Sequence, residues 1–119
     1  MNKIHEIIGL YNESDMHKFW VDVEDYLRWG IVYSGPGIFM MYKMVNSEIG
    51  DPINQWNPEK PDAWFIKWAS GHGCITHMIS MCMPRLPKLI FYRHKNGEDS
   101  EMKTYDFKKF ARKWGVSWD

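Results

Sequence analysis

Residues 62–93 read DAWFIKWASGHGCITHMISMCMPRLPKLIFYR, and their order of apolar runs, glycines and prolines decides the fold. Ala63–Trp68 is an aromatic and aliphatic run of strand length. Ala69-Ser70-Gly71-His72-Gly73 reads as its break. Ile75, Met78, Ile79 and Cys82 then recur at i, i+3, i+4 and i+7, the spacing of one helical face. Pro84 and Pro87 stop that helix, because proline lacks a backbone N–H and restricts the residue before it. Lys88–Tyr92 is a second strand-length apolar run. A strand feeding a helix that returns to a strand is a βαβ unit, which predicts a parallel pair. Two glycines before the helix would leave its N-terminal amides open to an anion such as a phosphate. A plain tight turn is the competing explanation for the same glycines.

Upstream, Ile4, Ile7, Ile8 and Tyr11 predict a short amphipathic helix over residues 2–11. Ser14 or Asp15 then reads as the N-cap of a second helix, Met16 to Leu27. Its expected inward stripe is Phe19, Trp20, Val23 and Leu27, with Asp22, Glu24, Asp25 and Arg28 toward water. Trp29–Ser34 and Ile38–Val45 flank Ser34-Gly35-Pro36-Gly37, which predicts an antiparallel hairpin. Residues 47–61 read as a long polar surface loop. Downstream, His94–Glu101 is a polar turn and Met102–Tyr105 a brief strand. Asp106 caps a last helix with Phe107, Phe110, Ala111 and Trp114 inward, ended by Gly115. The expected order is α-α-β-β-β-α-β-α: an α+β class, with a single-domain mixed sheet flanked by helices.

The 119 residues suit one domain, and 45% hydrophobic residues allow a packed core without staples. The net charge is zero, which argues against a dedicated nucleic-acid binder. Residues 85–119 nevertheless hold nine Lys/Arg against five Asp/Glu, a basic tail able to meet a small acidic partner. Cys74 and Cys82 lie eight apart on one predicted helix, roughly 12 Å by helical rise, too far for a disulfide. With no apolar run of membrane-spanning length and no opening signal peptide, the expectation is a cytoplasmic, soluble protein without a membrane span. His72, Cys74, His77 and Cys82 do not follow a standard zinc spacing, so no metal is expected.

Two sets of residues together resemble one family. Trp64-Phe65-Ile66-Lys67-Trp68-Ala69, then Gly71 or Gly73, Met78 or Met81, Pro84 and Arg93, resemble the toxin-activating lysine acyltransferases. Ser14, His17 and Trp20 stand at the spacing of that family's S-x-x-H-x-x-W run. The resemblance covers roughly residues 14–93, with a gap. It implies an N-acyltransferase-like fold and transfer of an acyl group from acyl carrier protein, or from coenzyme A as in related enzymes, to an amine of a protein acceptor. It implies His17 as the catalytic base. The family's catalytic aspartate stands between Ile and Trp, where this chain has Lys67. Either another acid, Asp15 or Asp62 by proximity, takes its place, or the chemistry is lost.

The candidate catalytic residues are therefore His17, Ser14 and Lys67. Ser14 is also a helix cap, and Lys67 an anion contact or a solvent-facing strand residue. Ser70, Gly71, His72 and Gly73 are the candidate donor-binding turn. The alternative reading is a catalytically inactive relative of the fold, an interaction or assembly protein encoded by a phage or mobile element. Exposed tryptophans such as Trp56 and Trp118 would then meet a partner, and a homodimer is compatible with it.

Overall fold

The computed structural model describes residues 13–71, 73–93 and 101–118, with side chains from Met16 onward. The expected helix over residues 2–11, most of the turn over 94–101 and His72 lie outside the described residues. The chain is α+β. Its elements are α1 (Glu13–Trp29), β1 (Ile31–Gly35), β2 (Ile38–Val45), a 3-10 turn (Pro52–Asn54), β3 (Ala63–Gly71), α2 (Cys74–Met81), β4 (Lys88–Arg93), β5 (Glu101–Asp106) and α3 (Phe107–Lys113). The five strands form one sheet in chain order. Every pairing is antiparallel except β3 with β4, which is parallel, as a βαβ crossover requires.

Four features differ from expectation. First, α1 spans Glu13–Trp29, so Ser14 and Asp15 lie within the helix. Second, its inward face is Met16, Phe19, Val23 and Tyr26; Trp20 is 46% and Leu27 69% exposed. Third, β3 runs on to Gly71, its last residues paired with β2 at Phe39↔Ser70 and Ile38↔Gly71. Fourth, β5 is a full six-residue edge strand paired along β4. Asp106 does cap α3, accepting from the Lys109 amide at 3.0 Å.

The register of β2 on β3 carries one irregularity. Met41 faces Trp68 and Tyr42 faces Ile66, so Lys67 is the extra residue of a β-bulge. Side chains normally alternate faces along a strand. Here Trp64 and Ile66 join a core under α2 and α3 with Met40, Met78, Leu89 and Phe107. Trp68 instead joins Phe19, Tyr26, Phe39 and Met41 under α1. The bulge thus switches the face of β3 midway. The sheet consequently has α1 on one side and α2 with α3 on the other.

The long loop is not a free surface element. Lys43 is buried beneath it, 3% exposed, and donates to the carbonyls of Ile53 (3.0 Å) and Gln55 (2.7 Å). Its ammonium lies 3.6 Å from the Trp56 ring centre. Trp56 also packs edge-on against Tyr26 at 5.0 Å. At the other end of the chain Trp118 packs on Phe107 at 5.1 Å, and Arg85 donates to the Ser117 and Trp118 carbonyls. Both tryptophans expected to await a partner are therefore committed within the fold.

Candidate functional site

The β3–β4 ladder runs from Ala63↔Lys88 to Ile66↔Phe91 and ends there, although both strands continue. Beyond this point β3 follows β2 while β4 follows β5. The strands part, and a groove of about 520 Å³ opens between them, within the range typical of small-ligand sites. Ile66 and Phe91 line it from the sheet, Ile75 from α2, Phe110 from α3 and Trp114 from the C-cap of α3. Phe110 packs at a tilt, 5.4 Å from Phe91 and 4.9 Å from Tyr105 between ring centres. Lys67, Arg93 and Lys113 bring three cations, and no carboxylate stands among the described lining residues. Arg93 is paired with Glu101 at 3.4 Å.

Lys67 links the groove to α1. Its Nζ lies 3.6 Å from Asp22 Oδ2 and 3.9 Å from the centre of the Tyr92 ring. Trp68 donates its indole N–H to the same Asp22 oxygen at 2.9 Å. Only a bulge lets two successive residues of one strand meet one carboxylate on one face. Asp22 was expected in water; instead it is the acid beside the lysine. Asp62, proposed by proximity, sits at the opposite end of the strand pair. It accepts from the Ser47 hydroxyl (2.6 Å) and amide (2.7 Å) and lies 3.6 Å from Lys88. Burial raises the Asp62 pKa, but the two Ser47 hydrogen bonds and the Lys88 charge outweigh it and hold the carboxyl below its ordinary value.

The remaining candidates fall in different places. His17 is exposed on α1, the helix on the far side of the sheet from α2, and is not among the described residues lining the groove. Ser14 lies within α1. Ser70 lines the groove beside Cys74. Gly71 adopts φ +114°, and a Cβ there would stand 1.8 Å from the Gly37 carbonyl oxygen. Its missing side chain therefore admits the hairpin turn of β1–β2. Gly73 adopts φ +72°, a left-handed residue at the start of α2, with open space around it. Burial pushes the Cys74 thiol up, with a backbone hydrogen bond opposing, so Cys74 is not an activated thiolate.

Sequence reasoning missed Asp22 and the parting of β3 from β4. A signal for Asp22 was present: it lies between Phe19 and Tyr26, beside Val23 on the inward stripe, where an unpaired acid is rare.

No protein-family model matches the chain, and neither a curated protein nor a solved structure shows significant similarity to it.

Proposed function

We propose that the chain is an N-acyltransferase-like protein that holds a thioester acyl donor in the groove where β3 and β4 part, and passes the acyl group to an amine. The donor is coenzyme A or acyl carrier protein, which share a phosphopantetheine arm. The observation that carries this reading is the groove itself: an aromatic and aliphatic trough between two parting parallel strands, with Lys67, Arg93 and Lys113 around it and no carboxylate among the described lining residues. Such a lining suits a long, largely uncharged arm and acyl chain ending in an anion. The resemblance noted from Trp64–Ala69 and from Ser14, His17 and Trp20 implies the same donors.

In this reading the acid beside the reacting centre is Asp22, delivered by α1, rather than an aspartate on β3. It would accept the proton that the attacking amine releases. His17, exposed on the outer helix, is assigned no contact with the donor.

Quenching of tryptophan fluorescence during titration with octanoyl-coenzyme A and with octanoyl acyl carrier protein tests the reading. At least one donor should bind saturably, and Lys113→Glu should weaken binding by about tenfold through a reversed charge at the rim. Saturation by neither would refute it. A second reading, the fold kept and the chemistry lost, is favoured by the exposure of Trp20, Leu27, Trp29 and Ile31 along α1 and the start of β1. It predicts self-association that Leu27→Glu abolishes in sedimentation.

A further inference from the structure

We propose that Lys67 is itself acylated by a thioester held in this groove, so that the chain comes to carry its own acyl-lysine. The inference rests on the donor-binding reading above and goes beyond it by naming an acceptor within the protein.

Three observations point to Lys67. It is the extra residue of the β3 bulge, at the place where β3 leaves β4, and it lines the groove. Its side chain is only 11% exposed and is held from two sides, by Asp22 at 3.6 Å and by the face of Tyr92 at 3.9 Å. Asp22 is itself fixed by the Trp68 indole at 2.9 Å. An amine positioned this way beside a bound carbonyl reacts as if at high local concentration. The other lysines near the sheet are placed differently. Lys43 is sealed under the loop by two carbonyls and the Trp56 ring. Lys88 lies at the closed end of the strand pair, against Ser47 and Asp62. Lys113 is exposed at the end of α3.

The step balances without a further reactant. The Lys67 ammonium first releases one proton to solvent, and the resulting amine attacks the thioester carbonyl carbon, so that a C–N bond forms. The tetrahedral intermediate collapses with cleavage of the C–S bond. The proton leaving nitrogen passes to Asp22 and from there to the departing thiolate, giving an amide and a free thiol. The product has no charge at position 67, so Asp22 loses its cation. Lys43, whose ammonium is disfavoured by burial and then by the Lys67 charge, loses a repulsive neighbour.

The test incubates the full chain with octanoyl-coenzyme A and reads intact mass followed by peptide mapping. One octanoyl group should appear, on Lys67 of the wild-type chain. Lys67→Arg, which keeps the cation but lacks a primary amine, should lose it. Asp22→Asn should slow it by about a hundredfold, and Lys108→Arg, at an exposed position outside the groove lining, should leave it unchanged. Label spread over exposed lysines such as Lys108 and Lys109, label on Lys113, or undiminished label in Lys67→Arg would each overturn the inference. A parallel fluorescence titration uses a non-transferable thioether analogue of octanoyl-coenzyme A. Saturable binding of the analogue, together with no Lys67 adduct after incubation with octanoyl-coenzyme A, overturns this inference alone. No binding by the analogue or by octanoyl acyl carrier protein overturns the donor-binding reading as well.

Discussion

The two ends of the β3–β4 pair are built from the same kinds of residue and behave oppositely. At the closed end, Ala63–Ile66 lie in parallel register with Lys88–Phe91. The Lys88 amide donates to the Asp62 carbonyl at 3.0 Å, and the Asp62 carboxylate gathers Ser47 and Lys88. Trp64 is 1% exposed there and donates its indole N–H to the Pro84 carbonyl at 2.7 Å. At the open end the ladder has stopped, Trp114 is 43% exposed, and cations and aromatic rings surround a groove. The difference teaches that one extra residue, Lys67, marks where β3 passes from a half paired with β4 to a half that borders a groove. Both ends contain a lysine and an aspartate at 3.6 Å. At the closed end the pair ties a loop to the sheet; at the open end it stands beside empty volume.

The contrast can be broken most sharply at Trp64. Trp64→Ala should cost about 3–5 kcal/mol of stability by creating a cavity in the core, measured by urea unfolding. A loss under about 1 kcal/mol would mean the closed end does not hold the fold.

Next in size is a pH effect at Lys43, on the strand beside this pair. Burial, and then the charge of Lys67, lower its pKa from 10.5 to about 8. Over that window the folded chain binds fewer protons at Lys43 than the unfolded chain, so stability rises with pH between about 8 and 10.5. The gain is about 3 kcal/mol at most, from the free energy per pKa unit. Lys43→Met should flatten the rise. An unchanged slope in that variant would locate the effect elsewhere.

A smaller effect is expected at Asp62. Its folded pKa is below the ordinary value, so its contribution is present above about pH 4, the ordinary carboxyl range, and is lost as the pH falls through the folded pKa. Asp62→Asn should cost about 1–2 kcal/mol at neutral pH and almost nothing in acid. Thermal unfolding at the two pH values separates these outcomes.

Trp114→Ala should be the mildest of the set in stability, within about 1 kcal/mol, as a partly exposed position away from the buried core. It should still weaken donor binding. A large loss of stability there would erase the distinction between the two ends.

Much of this arrangement was legible before any coordinates. The βαβ unit followed from an aromatic run, a helical period and two prolines, and the hairpin from Ser34-Gly35-Pro36-Gly37. Asp106 as a cap was equally plain. The rest depended on distant partners. Nothing in Trp64–Trp68 distinguishes a bulged strand from a regular one, because a bulge is defined by the register of β2. Gly71 read as a bared anion site, whereas the atom it accommodates is the Gly37 carbonyl, 34 residues earlier in the chain. Trp20 read as core because it is large and apolar, but the helix is rotated so that Tyr26 is buried in its stead. The strand expected over Met102–Tyr105 extends by one residue at each end, as an edge strand whose outer side is free to be hydrophilic.

The central claim is that the parting of β3 from β4 makes a donor site. It is tested most directly by following backbone amide and indole resonances while octanoyl-coenzyme A or octanoyl acyl carrier protein is added. The account predicts shifts with at least one donor, concentrated at Lys67–Ser70, at Phe91–Arg93 and at the Trp114 indole, with the closed end around Trp64 unmoved. Shifts confined to the outer face of α1, around His17, Trp20 and Leu27, or no shifts with either donor, would contradict it.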